Sequence, residues 1–153
     1  MDITHLKKIP LFSNLTSDHL AKVAAIGKEL EVGGGHVIFR EGDVGSDFYV
    51  IVSGKVRISK MVPGVGEEAL AILETGDYFG DMALIDDTPR SADAIAHIPC
   101  KLWVMQKQDL EELMFLHKDL AYELLWTFVR TLSTRLRETN EKIKAFFALS
   151  ARF

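Results

Sequence analysis

The chain has a single cysteine, Cys100, among 153 residues. That excludes an intrachain disulfide and fits a reducing compartment. Lying between Pro99 and an apolar run, Cys100 reads as a structural residue rather than a catalytic thiol. Long hydrophobic runs are missing as well, since no stretch approaches the roughly 18 uninterrupted apolar residues of a membrane span. The opening Met1-Asp2-Ile3-Thr4-His5-Leu6-Lys7-Lys8 has no long apolar core behind its charges, so it is not a secretory signal, and a cytoplasmic location is expected. Positive charge is not in excess. With 18 Lys and Arg against 22 Asp and Glu, the formal net charge is −4, which argues against an extended nucleic-acid surface and leaves room only for a local arginine patch on the last helix.

Clusters that carry catalytic chemistry are scarce too. His5, His19, His36, His97 and His117 show no H-x-x-x-H spacing and no cysteine pair supports them, so no metal is expected. Asp86-Asp87 stand before Thr88-Pro89 and read as solvated turn residues rather than paired catalytic acids. Arg90-Ser91 has no candidate base to make a nucleophile of the serine. An enzyme is therefore not expected.

What is present is a globular composition, 48% hydrophobic and 26% charged, suited to one domain over residues 1–153. Residues 1–30 read as N-terminal helices. Ile9-Pro10-Leu11-Phe12 makes a short apolar turn, and Thr16 or Ser17 caps a helix with Leu20, Val23, Ala24 and Ile26 on one face. Gly33-Gly34-Gly35 ends that register; no Lys-Ser or Lys-Thr follows, so it is a plain turn and not a phosphate loop. From 36 to 107 the period changes to short β-rich runs, among them Val37–Phe39, Phe48–Val52, Lys55–Ser59, Ala69–Leu73, Ala92–Ala96 and Lys101–Met105. Glycines at the breaks, such as Gly42, Gly45, Gly54 and Gly76, read as turn-formers rather than ligand contacts. Such punctuation predicts a sandwich or jelly roll.

From 108 to 153 the pattern is helical again. Gln108-Asp109-Leu110 opens one helix, and a longer one follows Lys118. Along it Tyr122, Leu125, Val129, Leu132, Leu136, Thr139, Ile143 and Phe146 recur at steps of three and four, the seam of two helices packed side by side. Thr139, followed by Asn140, is the polar exception. Such a residue either fixes register at some loss of stability or meets a ligand.

The stretch from Gly76 to Ala92 holds the parts needed to bind one small phosphate. A turn at Gly76-Asp77 leads through Tyr78-Phe79 to Gly80, and Asp81-Met82-Ala83-Leu84-Ile85 reads as one or two helical turns before Asp86–Pro89 break them. Free N–H groups at a helix start point at an anion site. Arg90 adds a planar fork of donors, with the Ser91 hydroxyl beside it. Asp81 suits the helix dipole but repels a phosphate unless it faces a neutral hydroxyl. Together these residues point to a sugar phosphate or nucleotide.

This stretch closely resembles the phosphate-binding cassette of the cyclic nucleotide-binding domain family, whose pattern runs F-G-E, a small apolar run, a short loop, then R and a small residue before A. Here it stands as Phe79-Gly80-Asp81, Met82-Ala83-Leu84-Ile85, Asp86 to Pro89, and Arg90-Ser91-Ala92. The lead-in from Lys7 to Leu20 and the run from Arg40 to Val56 also resemble the family, with Ser46-Asp47 departing from its common G-D order. The resemblance implies that Arg90 binds the cyclic phosphate, that backbone amides of Ala83 and Leu84 complete the cradle with Gly80 and Met82, and that Ser91 adds a hydroxyl. Asp81, where the family has Glu, takes the ribose 2′-OH; one methylene shorter, it reaches less far. Thr139-Asn140-Glu141-Lys142 resembles the Thr-Ser-Glu-Lys stretch of the catabolite activator subgroup, which makes Thr139 and Asn140 candidates for contact with the purine, from their own or from the partner subunit.

The fold implied is α+β and mainly β, a double-stranded β-helix or jelly roll (36–107, cassette 79–92) with N-terminal helices, a short cassette helix and long C-terminal helices (108–153). The function implied is a stand-alone regulatory module that binds a cyclic nucleotide and signals through its C-terminal helix and a homodimer. No catalytic residue, metal or cofactor is implied. Resemblance to the catabolite activator subgroup favours cyclic AMP. Family members favouring cyclic GMP often carry Thr after the Arg, and Ser91 offers a similar hydroxyl. The chain stops at Phe153, after the long helix, so direct DNA binding is not expected. The alternatives are a degenerate pocket in a fold kept for protein interaction, and a small enzyme of the related sandwich type, which needs a His-carboxylate metal set that is missing here.

Overall fold

The structure is a computed structural model that describes residues 2–82 and 86–151. Its N-terminal part comprises α1 (Ile3–Lys7), a 3-10 turn (Pro10–Phe12) and α2 (Ser17–Ile26). The Thr16 side chain accepts a hydrogen bond from His19 N at 3.2 Å, the expected N-cap. Eight strands follow: β1 (Gly27–Val32), β2 (Val37–Phe39), β3 (Asp47–Ser53), β4 (Val56–Val62), β5 (Gly66–Leu73), β6 (Tyr78–Phe79), β7 (Asp93–Ala96) and β8 (Cys100–Gln106). They form two four-stranded sheets, in the orders β1-β8-β3-β6 and β2-β7-β4-β5, with antiparallel pairing throughout. The expected α+β jelly roll with a long C-terminal helix is thus the fold. Two helices, α3 (Lys107–Leu116) and the 33-residue α4 (Lys118–Ser150), complete it.

Residues 27–30 correct the helical reading of residues 1–30. Gly27 to Val32 pair with Met105 to Cys100 of β8, so the roll begins at Gly27 and not at His36. Lys28, Glu29, Leu30 and Glu31 are good helix formers, but Gly27 lies so close to the Trp103 ring that any β-carbon would fall inside it. Docking against that indole forces the chain into the sheet. The short β6 was also not anticipated, because two residues carry no period of their own; its Tyr78 and Phe79 pair with Val50 and Tyr49.

Alternation along β3 and β8 makes two cores from one sheet. Phe48, Val50, Trp103 and Met105 face the helices and pack with Leu6, Phe12, Leu20, Leu110, Leu120, Leu124 and Phe128. Tyr49, Ile51 and Leu102 face the opposite way and pack inside the roll with Val56, Phe79, Ala94 and Ala96. That is why Phe48–Ile51 reads as an unbroken apolar run, buried on both sides. The helical layer holds the root of α4, and the inner layer supplies the wall of the site. Among the described residues no helix is long and apolar enough to cross a membrane, and no group of His, Cys, Asp and Glu is arranged to hold a metal ion.

Candidate functional site

Arg90 follows a loop that is anchored at both ends. Asp86 accepts from Thr88 N, Lys107 Nζ lies 2.7 Å from Asp87, and the Arg90 backbone is clamped to the turn before β3. Arg90 N donates to Asp43 O at 2.9 Å and Gly42 N to Arg90 O at 2.8 Å. That turn is itself held by carboxylates: Asp43 accepts from Arg40 N, and Asp93 from Glu41 N. The Arg90 side chain runs inward, 7% exposed, with its guanidinium 4.2 Å from the centre of the Phe39 ring. Nη2 donates to Asp47 O at 2.9 Å, and Nη1 makes a long contact of 3.5 Å with Gly80 O. Nε is buried with no hydrogen-bond partner, and no carboxylate stands within ion-pair distance among the described residues. Burial lowers the guanidinium's pKa from its ordinary value, with Tyr49 and Asp47 partly opposing. A cation seated this way is short of an anion.

Two glycines make the seat possible. A β-carbon on Gly80, which adopts φ +79°, would lie 2.8 Å from Asp47 O and 3.0 Å from Arg90 Nη1; one on Gly45 would lie 3.3 Å from Nη2. Beyond the guanidinium opens a cavity of about 500 Å³, within the usual size range for small-molecule sites. Its inner wall is apolar, from Phe39, Ile58, Ala71, Leu73 and Phe79; Gly80, Asp81, Met82, Arg90 and Ser91 line it on the cassette side. The other wall is α4, which contributes Arg135, Glu138, Thr139 and Lys142, one helix face at steps of three and four. Helix and cassette meet directly. Arg135 Nη1 lies 2.8 Å from Oδ2 of the nearly buried Asp81, and its guanidinium lies 5.4 Å from the Tyr78 ring centre.

Arg90, its glycine-lined seat and Asp81 lie within a stretch that matches the cyclic nucleotide-binding domain model, over residues 29–117. The chain belongs to the cyclic nucleotide-binding domain family. It is 40% identical over 98 residues to a cGMP-dependent protein kinase of Caenorhabditis briggsae, an overlap of 63% of this chain and 13% of the kinase. It is 32% identical over 124 residues to the CRP-like cAMP-activated global transcriptional regulator of Mycobacterium tuberculosis, covering 79% of this chain and 54% of the regulator. The crystal structure of the Thermus thermophilus catabolite activator protein is similar at a TM-score of 0.79 and 29% identity, over 90% of this chain and 62% of that one. The chain therefore spans about an eighth of the kinase and about half of the regulator.

Of the residues singled out in the sequence of this cyclic nucleotide-binding domain, Gly80, Asp81, Met82, Arg90, Ser91 and Thr139 line one cavity. Asn140 is exposed and does not line it. Ala83 and Leu84, and with them most of the expected cassette helix, lie outside the described residues. The sequence reading missed Gly45, whose lack of a β-carbon leaves room for the Arg90 guanidinium, and Asp47, whose carbonyl accepts from it, and missed Arg135, Glu138 and Lys142 on the helix. For the helix a signal existed: Arg135, Glu138, Thr139 and Lys142 form a polar face beside the apolar seam. Nothing local showed which surface that face covers.

Proposed function

We propose that the chain is a regulatory module that binds a 3′,5′-cyclic nucleotide and signals through α4 and a homodimer. One observation carries the reading: the buried Arg90 cation lines the cavity, its Nε without a hydrogen-bond partner among the described residues, and Ser91 lines the same cavity. A cyclic phosphate supplies the missing anion through charge-assisted hydrogen bonds. Asp81 takes the ribose 2′-hydroxyl, directly or through a water. The base then extends toward α4, where Thr139 stands. Ligand held between Arg90 and α4 favours one helix position over another, and only that differential affinity shifts the population. The role is binding rather than catalysis, in a cytoplasmic setting.

Resemblance to the catabolite activator subgroup favours cyclic AMP as the ligand. Calorimetry with cyclic AMP, cyclic GMP and the two linear 5′-monophosphates tests the reading: a cyclic nucleotide is expected to bind at least about tenfold more tightly than its linear counterpart, whose second ionisation adds charge the single Arg90 does not match. A second reading, a degenerate pocket in a fold kept for protein interaction, draws on the Arg135–Asp81 ion pair, which already occupies the ribose acceptor. Absence of binding by every nucleotide in a folded sample would favour it.

A further inference from the structure

We infer that Lys107, the first residue of α3, is a positioning residue for Arg90: its ammonium holds the cassette loop through Asp87 and so fixes where the guanidinium meets the cyclic phosphate, a role that rests on the ligand sitting at Arg90 as proposed above. Lys107 does not itself line the cavity. Nothing in the helix calls for a cation there. A positive charge at a helix N-terminus opposes the dipole, and Gln106, the N-cap, makes no side-chain hydrogen bond that would offset it. Yet the Lys107 side chain is only 13% exposed, with Nζ donating to Asp87 Oδ1 at 2.7 Å and Glu111 Oε1 3.8 Å away.

Lys107 holds both sides of the Arg90 seat. Its side chain takes Asp87, three residues before Arg90, and its backbone N donates to Ser46 O at 3.2 Å, one residue before the Asp47 carbonyl that accepts from Nη2. The post itself is firm, because Leu110 and Leu113 of α3 are buried in the helical core with Leu120 and Leu124 of α4. Asp87, by contrast, is 97% exposed, and an ion pair with one partner in water adds little to stability. Its effect is therefore on geometry. Among the described residues, no other side-chain hydrogen bond ties the loop from Asp86 to Pro89 to the rest of the fold, since those between Asp86 and Thr88 are internal to it. A planar fork of donors is directional, so a small shift of that loop misaligns it against a phosphate.

Titration calorimetry with cyclic AMP and cyclic GMP on the parent chain, Lys107→Met, Asp87→Asn, the double variant and Lys107→Arg tests the inference. Each neutral single variant is expected to weaken whichever nucleotide the parent binds by about threefold to tenfold. The double variant should lose no more than the worse of the two single ones, because either change breaks the same tie. Lys107→Arg keeps a donor for Asp87 and should hold most of the parent's affinity. Melting temperatures should barely move, and Asp87→Asn changes a side chain that stands almost wholly in water, so that variant does not threaten the fold. Unchanged affinity in both single variants, whatever their melting temperatures, or losses that simply add in the double variant, overturns the inference while the proposed function stands. Failure of the parent to bind either nucleotide overturns both.

Discussion

A guanidinium that is 7% exposed, with an unpartnered Nε and no carboxylate at ion-pair distance among the described residues, is costly to bury, and an anion delivered to it removes part of that cost. Shape matters there as much as charge. Arg90→Lys keeps the cation but gives up the planar fork that reaches Asp47 O and the Phe39 face. Cyclic nucleotide affinity should fall about tenfold or more, equivalent to about 1.5–3 kcal/mol for a hydrogen bond to a charged group; calorimetry on a variant with unchanged circular dichroism measures it. Gly45→Ala acts on the same fork from behind. Its new methyl would stand 3.3 Å from Nη2, near enough to push the guanidinium without breaking backbone. Affinity is expected to fall about threefold to tenfold while the melting temperature barely moves. That Arg90, Ser91 and Asp81 share one cavity was legible in the sequence because they stand at neighbouring positions. Gly45 was not, since the need for a bare α-carbon there arises only when a residue 45 positions later folds against it.

The long helix serves two surfaces with one sequence. Leu120, Leu124, Thr127 and Phe128 root it in the helical core, and further along Arg135, Glu138, Thr139 and Lys142 wall the cavity. Between those surfaces, Arg135 is the tie to the cassette, and its effect on a ligand is expected to run through Asp81. Arg135→Gln removes the cation from a carboxylate that is only 7% exposed, a pair worth about 1 kcal/mol because the arginine itself is 43% exposed. Binding of a cyclic nucleotide should weaken severalfold, and the loss should disappear with a 2′-deoxy ligand, which has no hydroxyl for Asp81 to orient. An equal loss with both ligands would mean that Arg135 acts elsewhere. Helical periodicity made α3 and α4 readable, with α3 beginning one residue earlier than expected. β1 was not readable, because its Lys-Glu-Leu-Glu composition has the preferences of a helix and only pairing with β8 and the closeness of Trp103 to Gly27 override them. The pattern along a segment records its own amphipathicity; it does not record the partner that outbids it.

At the scale of the molecule, the feature left without a partner is the apolar stripe of α4. Tyr122, Leu125, Val129, Leu136, Ile143 and Phe146 are 48–66% exposed, on the side turned away from the residues that root the helix. A stripe of that length at heptad spacing is what a second copy of the same helix covers, and a parallel homodimer along it remains the proposal. Leu136→Glu places like charges opposite one another across the symmetric interface and should weaken dimerisation by about tenfold or more. Sedimentation velocity on parent and variant reads this out, and a parent that stays monomeric with and without cyclic nucleotide would defeat it. If helix position and pocket closure are one equilibrium, the variant should bind ligand more weakly too. The double-faced strand β3 carries a different implication. It gives Phe48 and Val50 to the helical core, Tyr49 and Ile51 to the inner roll, and the carbonyl of its first residue, Asp47, to Arg90. A slip of one residue would turn every one of those side chains to the wrong layer. The helical layer and the ligand seat are therefore not separate modules that melt in turn: heat or denaturant should take them apart in one cooperative step, and damage to either layer will be felt as a loss of both.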